Sequence, residues 1–154
     1  MDDLSLHILD VVENSIDAGA KNIGIKVDED MEKDILSIDI IDDGKGMDKE
    51  TQENVLDPFY TTRTTRRVGL GIPLFAEAAR ASGGDIKIKS IPGTKTEINA
   101  TFGYSNIDRQ PLGDLGETLK VLIFSHPEIN FKFEHKKGND KYCLDTGKQP
   151  GERR

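Results

Sequence analysis

Sulfur chemistry is almost missing from this chain, and tryptophan is missing altogether. The single cysteine, Cys143, excludes an internal disulfide and suits a reducing compartment. Aromatic residues make up only 6% of the sequence. No apolar run approaches the roughly 20 residues of a membrane span. The opening "MDDLSLHILD" is acidic, and its apolar run is too short for a secretory signal. The expectation is a cytoplasmic chain with no membrane partner. Positive charge is also short: 21 Lys and Arg stand against 28 Asp and Glu, a net charge of −7. That balance disfavours a nucleic-acid partner. An anionic ligand would have to be held locally, by backbone NH groups, a metal ion or a few cationic side chains.

What is present is an ordered composition. The 154 residues are 35% apolar and 32% charged, which fits one domain with a single core. Leu4, Ile8, Val11, Val12 and Ile16 recur at helical spacing, widened by Leu6 and Leu9, and Gly19 follows as a stop signal. "NIGIKVD" and "KDILSIDIID" read as strands joined by an acidic hairpin over 28–34. "DKETQENVLDPF" reads as a short helix with Asp48 as N-cap, ending before Pro58. "YTTRTTRRVGLG" has no apolar period and reads as a loop. "IPLFAEAARASGG" reads as a helix with Pro73 in its first turn and Gly83-Gly84 as its stop. "DIKIKSI" and "TKTEINATF" alternate strictly around "PG", a hairpin. Residues 1–104 form one organised unit, with helices on one side of a mixed or antiparallel sheet. Beyond a linker, "LGETLKVLIFSHP" reads as a helix, and "INFKFEH" with "KYCLDT" as a hairpin. Residues 105–154 thus read as an appendage packed on the same domain.

Four stretches carry possible chemistry. In "IDIIDDGKGMD" a strand runs into two acids and two glycines. Asp-Gly alone makes a turn. The second glycine leaves a ligand site equally open, with Asp42 as acceptor and Gly44 and Gly46 admitting close approach. In "ENSIDAGA", Asn14 and Asp17 fall on one helix face, shared by Asp10 four residues before Asn14. Either that face is solvated, or a Mg²⁺ with waters satisfies it. "DPFYTTR" leads to "VGLGI", where Gly69 and Gly71 precede a helix. That is an ordinary loop-to-helix turn or an anion site. Thr96, in "PGTKTEI", is a β-favouring residue or a hydroxyl that joins Asp42 in holding a heterocycle.

Taken in order, these motifs resemble the GHKL superfamily of gyrase B, Hsp-type chaperones, histidine kinases and MutL. "ENSIDAGAK" resembles the N box, closest to MutL, and "DDGKGM" the first glycine box. "DPFYTTR" and "VGLGI" resemble the F box and second glycine box of histidine kinases. The resemblance covers residues 4 to 102 and is not carried past Phe102. It implies an α+β fold, a two-layer α/β sandwich with a mixed, mostly antiparallel sheet, known as the Bergerat ATP-binding fold. It also implies ATP and Mg²⁺ as cofactors. Asn14 would ligate Mg²⁺. Asp17 and Ala18 would complete the N-box side of the nucleotide site. Asp42 would accept from the adenine amino group, helped by Thr96. Gly44, Gly46 and Met47 would shape the adenine pocket. Phe59, Thr62 and Arg63 would border the ATP lid, and Gly69, Leu70 and Gly71 would offer NH groups to the phosphates.

The sequence also departs from the family. The superfamily's ATPases carry a Glu four residues before the N-box Asn as catalytic base; here Asp10 stands there. Glu13 is adjacent to Asn14, on a different face, and is the weaker candidate. The 13 residues before Asn14 are too few for the phosphoacceptor hairpin of a histidine kinase. His7 reads as a satisfied surface or core histidine. His126 and His135 lack metal-ligand spacing. The 50-residue appendage is too small for the transducer domain of MutL and gyrase. Two functions follow. One is a stand-alone ATPase or a protein kinase acting in trans on a protein partner. The other is a non-hydrolysing, ATP-dependent switch.

Overall fold

The computed structural model describes residues 3–56 and 71–147. Helix α1 (Leu4–Asp17) starts at Asp3, whose carboxylate accepts from the Leu6 NH at 3.0 Å. It buries Leu4, Ile8, Val11 and Val12, the expected apolar stripe. Strands β1 (Asn22–Asp30) and β2 (Ile35–Asp42) follow as an antiparallel hairpin. β1 runs two residues further than the alternation predicts, so the acidic connection shrinks to a turn at 31–34.

Asp48 caps α2 (Lys49–Asn54) by accepting from the Thr51 NH at 2.7 Å. α3 (Gly71–Ala81) begins at the second glycine of "GLG" and buries Ile72, Phe75, Ala76 and Ala79. β3 (Asp85–Ile91) and β4 (Lys95–Gly103) form the expected hairpin. Then come α4 (Leu115–Ser125), β5 (Asn130–Lys137) and β6 (Asp140–Asp145).

The six strands make one sheet in the order β3-β4-β2-β1-β5-β6. All neighbours are antiparallel except β1 and β5, which run parallel from Asn22 beside Asn130 to Glu29 beside Lys137. A parallel neighbour needs a crossover, and the segment holding α4 supplies it. The fold is therefore α+β with a mixed, mostly antiparallel sheet. Alternate residues face the helices: Ile23, Ile25 and Val27 on β1, Leu36, Ile38 and Ile40 on β2, Ile98, Ala100 and Phe102 on β4, and Phe131 and Phe133 on β5. Among the described residues no helix is long and apolar enough to cross a membrane.

Candidate functional site

The site forms where α1 meets the end of β2. Asp42 is the last residue of β2 and is 6% exposed. A buried carboxylate needs donors, and two are present. The Ser15 hydroxyl donates to Asp42 Oδ2 at 2.6 Å, and the Gly44 NH donates to Oδ1 at 2.9 Å. Each carboxylate oxygen still has a free lone pair. Thr96, 7% exposed, lies directly across from Asp42 in the β2–β4 register, on the same face of the sheet.

The glycines of the turn admit close approach by the protein's own atoms. Gly46 has φ +73°, and a Cβ there would stand 2.3 Å from the Ile91 carbonyl oxygen. At Gly44 a Cβ would crowd Ala18 Cβ at 3.3 Å and Asp42 Oδ1 at 3.1 Å. The Lys45 NH donates to the Ala18 carbonyl at 3.0 Å, which ties the turn to the end of α1. Met47 packs half-buried against the core.

The same helix also reaches the start of α3. A Cβ on Gly71 would lie 3.0 Å from Asn14 Nδ2 and 3.5 Å from Asp10 Cβ. Asp10, Asn14 and Gly71 are thus neighbours. Burial pushes the Asp10 carboxyl above its ordinary pKa; His7 pulls it down and Glu13 pushes it up. Asp17 is exposed at the last position of α1, while Asp10 and Asn14 are half-buried. Phe59, Thr62, Arg63, Gly69 and Leu70 lie outside the described residues, as does the loop expected over 60–71 apart from Gly71, which is helical instead.

One residue of the site, Ser15, escaped the sequence. Ser15 was a polar residue on the buried stripe of α1, one turn after Val11 and Val12, and that position was the available signal. Asp43 is not a second ligand acid. Its carboxylate accepts from the Lys21 and Asn22 NH groups at 2.8 and 2.9 Å and from Asn22 Nδ2 at 2.8 Å. Burial acts to raise its pKa, but these hydrogen bonds outweigh it and hold the carboxyl below its usual range.

The histidines also differ from a simple satisfied set. His7 is buried, stacks on Phe75 at 5.9 Å and pairs through Nε2 with Gln110 Oε1 at 3.1 Å. Its Nδ1 has no hydrogen-bond partner among the described residues. Glu13, the weaker base candidate, pairs with His126 at 3.4 Å, outside the site. His135 pairs with the buried Glu29 at 2.6 Å.

Residues 2–105 match the family described as histidine kinase-, DNA gyrase B-, and HSP90-like ATPase. The sensor histidine kinase WalK of Bacillus subtilis is 33% identical over 108 residues, covering 63% of this chain and 18% of that protein. The sensor protein kinase FleS of Pseudomonas aeruginosa is 37% identical over 110 residues, covering 71% of this chain and 27% of its own length. The DNA mismatch repair protein MutL of Listeria monocytogenes is 27% identical, covering 90% of this chain and 28% of that protein. The chain therefore spans less than a third of each of these relatives. A match over 90% of the chain cannot end at residue 105, so likeness to MutL continues into the C-terminal segment. Among solved structures, the Aquifex aeolicus MutL ATPase domain complexed with ADP superposes with a TM-score of 0.57 at 14% identity, over 96% of this chain and 65% of that one. At that identity the likeness is one of fold. With the family pattern spanning the N-box helix, the Asp42 turn and α3, the chain belongs to the histidine kinase-, DNA gyrase B- and HSP90-like ATPases.

Proposed function

We propose that the chain binds Mg-ATP between α1, the Asp42–Met47 turn and the start of α3, and turns it over slowly. One observation carries the reading: a single helix presents Ser15 to the buried Asp42 and Asn14 to Gly71. A nucleotide laid across α1 then meets an acceptor on the Ser15 side and a helix start on the Asn14 side. The residues suit such a ligand. Asp42 has acceptor capacity to spare for an exocyclic amino group. Gly44 and Gly46 let the turn pack closely on Ala18 and Ile91, which holds Asp42 in place. α3 begins with a glycine at the end expected to favour anions.

Asn14 is the proposed protein ligand of Mg²⁺, an ion that takes few protein oxygens and leaves the rest of its shell to water and phosphate. Its bound charge would neutralise phosphate oxygens. Asp10 is the proposed general base. Its burial raises its basicity toward the range in which a carboxylate accepts a proton from water. The substrate side is a protein: the chain acts as a stand-alone ATPase or as a kinase in trans on a partner. Its likeness to two sensor kinases supports that class. Its acidic balance supports a partner other than nucleic acid, and a cytoplasmic site of action fits the lone cysteine.

The test follows the γ-phosphate of labelled Mg-ATP with purified protein, beside Asp10→Asn. Release or transfer by the wild type, lost in the variant with binding kept, is the expected result. Intact ATP in both samples overturns turnover and leaves a nucleotide switch. Equal turnover in both removes Asp10 as base.

A further inference from the structure

One side chain links α2 to the wall of the pocket. Gln52 donates from Nε2 to the Met47 carbonyl at 3.1 Å and to the Ser90 carbonyl at 2.9 Å. Its Oε1 accepts from the Ser90 NH at 3.2 Å. Among the described residues β3 is an edge strand, paired only with β4. The Gln52 amide therefore satisfies the outward donor and acceptor of Ser90 as a neighbouring strand would.

Ser90 then acts inward. Its hydroxyl accepts from the Met47 NH at 2.7 Å, donates to the Lys95 carbonyl at 2.9 Å and lies 2.8 Å from Thr96 Oγ1. A hydroxyl has one proton and two lone pairs. The Ser90–Thr96 contact admits either donor; with the Ser90 proton assigned to the Lys95 carbonyl and one lone pair taken by Met47, the remaining lone pair accepts from Thr96. The Thr96 hydroxyl is then left as an acceptor, across from the acceptor Asp42.

We propose that Gln52 and Ser90 are positioning residues that set nucleobase specificity by fixing Thr96 as an acceptor beside Asp42. The inference rests on the nucleotide reading of the site. Two adjacent acceptors favour a base carrying an amino group there. A base carrying a carbonyl at that position would set three acceptors against one another. A freely rotating Thr96 hydroxyl could donate instead and would relax the discrimination.

The experiment measures ATP and GTP affinities by calorimetry, with Mg²⁺, for the wild type, Ser90→Ala, Ser90→Thr, Gln52→Leu and Gln52→Glu. The ratio of the two affinities is the readout, because a partly unfolded sample weakens both nucleotides equally. The wild type prefers ATP. Ser90→Ala and Gln52→Leu reduce that preference about tenfold, the size of one lost hydrogen bond. Ser90→Thr keeps a hydroxyl and retains the preference. Gln52→Glu loses it at pH 8, where a carboxylate faces two carbonyls, and regains part of it at pH 5 relative to the wild type. An unchanged ratio in Ser90→Ala and Gln52→Leu overturns the proposal, as does a wild type that binds ATP and GTP equally. A wild type that binds neither nucleotide overturns the underlying reading as well.

Discussion

The hydroxyl of Ser15 and the carboxylate of Asp42, 27 positions apart, meet at 2.6 Å in a buried setting. This contact fixes α1 against the end of β2 and orients the acceptor of the proposed site. Ser15→Ala takes one of two donors from a buried carboxylate. It should cost about 1–3 kcal/mol of stability, read by urea denaturation. It should also weaken ATP binding about tenfold, more than a surface serine substitution does. Unchanged stability and affinity would mean that the Gly44 NH alone holds Asp42.

Asp10 should trade stability for function. Its folded pKa is raised, so the folded state binds its proton more tightly than the unfolded chain does. Stability then falls as pH rises from the unfolded value through the folded one. Asp10→Asn removes that charge and should melt higher than the wild type at pH 7. The gap should close as the pH drops below 4, where both chains are neutral at this position. A variant that melts lower at pH 7 would show that the carboxylate is stabilised in place.

His7 has the opposite slope. Burial lowers its pKa, with the Gln110 hydrogen bond and Asp10 acting the other way. The unfolded chain therefore takes the proton first as pH falls below 6.5, and stability is lost toward the folded pKa. His7→Phe keeps a ring against Phe75 and should flatten the dependence of melting temperature on pH between 6.5 and 5. An equal slope in both proteins would assign acid sensitivity to other groups.

The C-terminal hairpin belongs to the energetics of the sheet. β5 covers the edge of β1 and buries Phe131 and Phe133, 1% and 3% exposed. Each phenylalanine contributes on the order of 3–5 kcal/mol, against a total stability of about 5–15 kcal/mol for a domain. Truncation before Asn130 should abolish cooperative melting. It would also remove the hydrogen bond from Asn130 to Asn22, which supports Asp43. A truncated chain that melts cooperatively near the wild-type temperature would make the hairpin dispensable to folding.

Local pattern made much of this legible. The stripe of α1, the strict alternation of β3 and β4, and the Asp42-Gly44-Gly46 turn follow from side-chain period and backbone freedom, which a short window of sequence contains. Pairing across long separations does not. That β5 lies parallel to β1 depends on a crossover through α4, and no residue of "INFKFEH" announces its neighbour. The site divides in the same way. Asp42, Gly46 and Asn14 stand out by residue type. Ser15 and Gln52 are common helix residues whose partners, Asp42 and Ser90, become visible only when the chain is folded. Asp42 ends β2 and Asp43 follows it, two acids side by side with different roles. Alternation separates them, since successive residues of a strand face opposite sides.

The central claim is that Asp42 reads a nucleotide at this turn. Calorimetric titration of ATP with Mg²⁺ into wild type and Asp42→Asn tests it most directly, with thermal melting to verify the fold of both. Saturable binding by the wild type and a loss of at least about tenfold in a folded Asp42→Asn, equivalent to 1.4 kcal/mol, is the predicted result. Equal binding by both proteins, or none by a folded wild type, would contradict it.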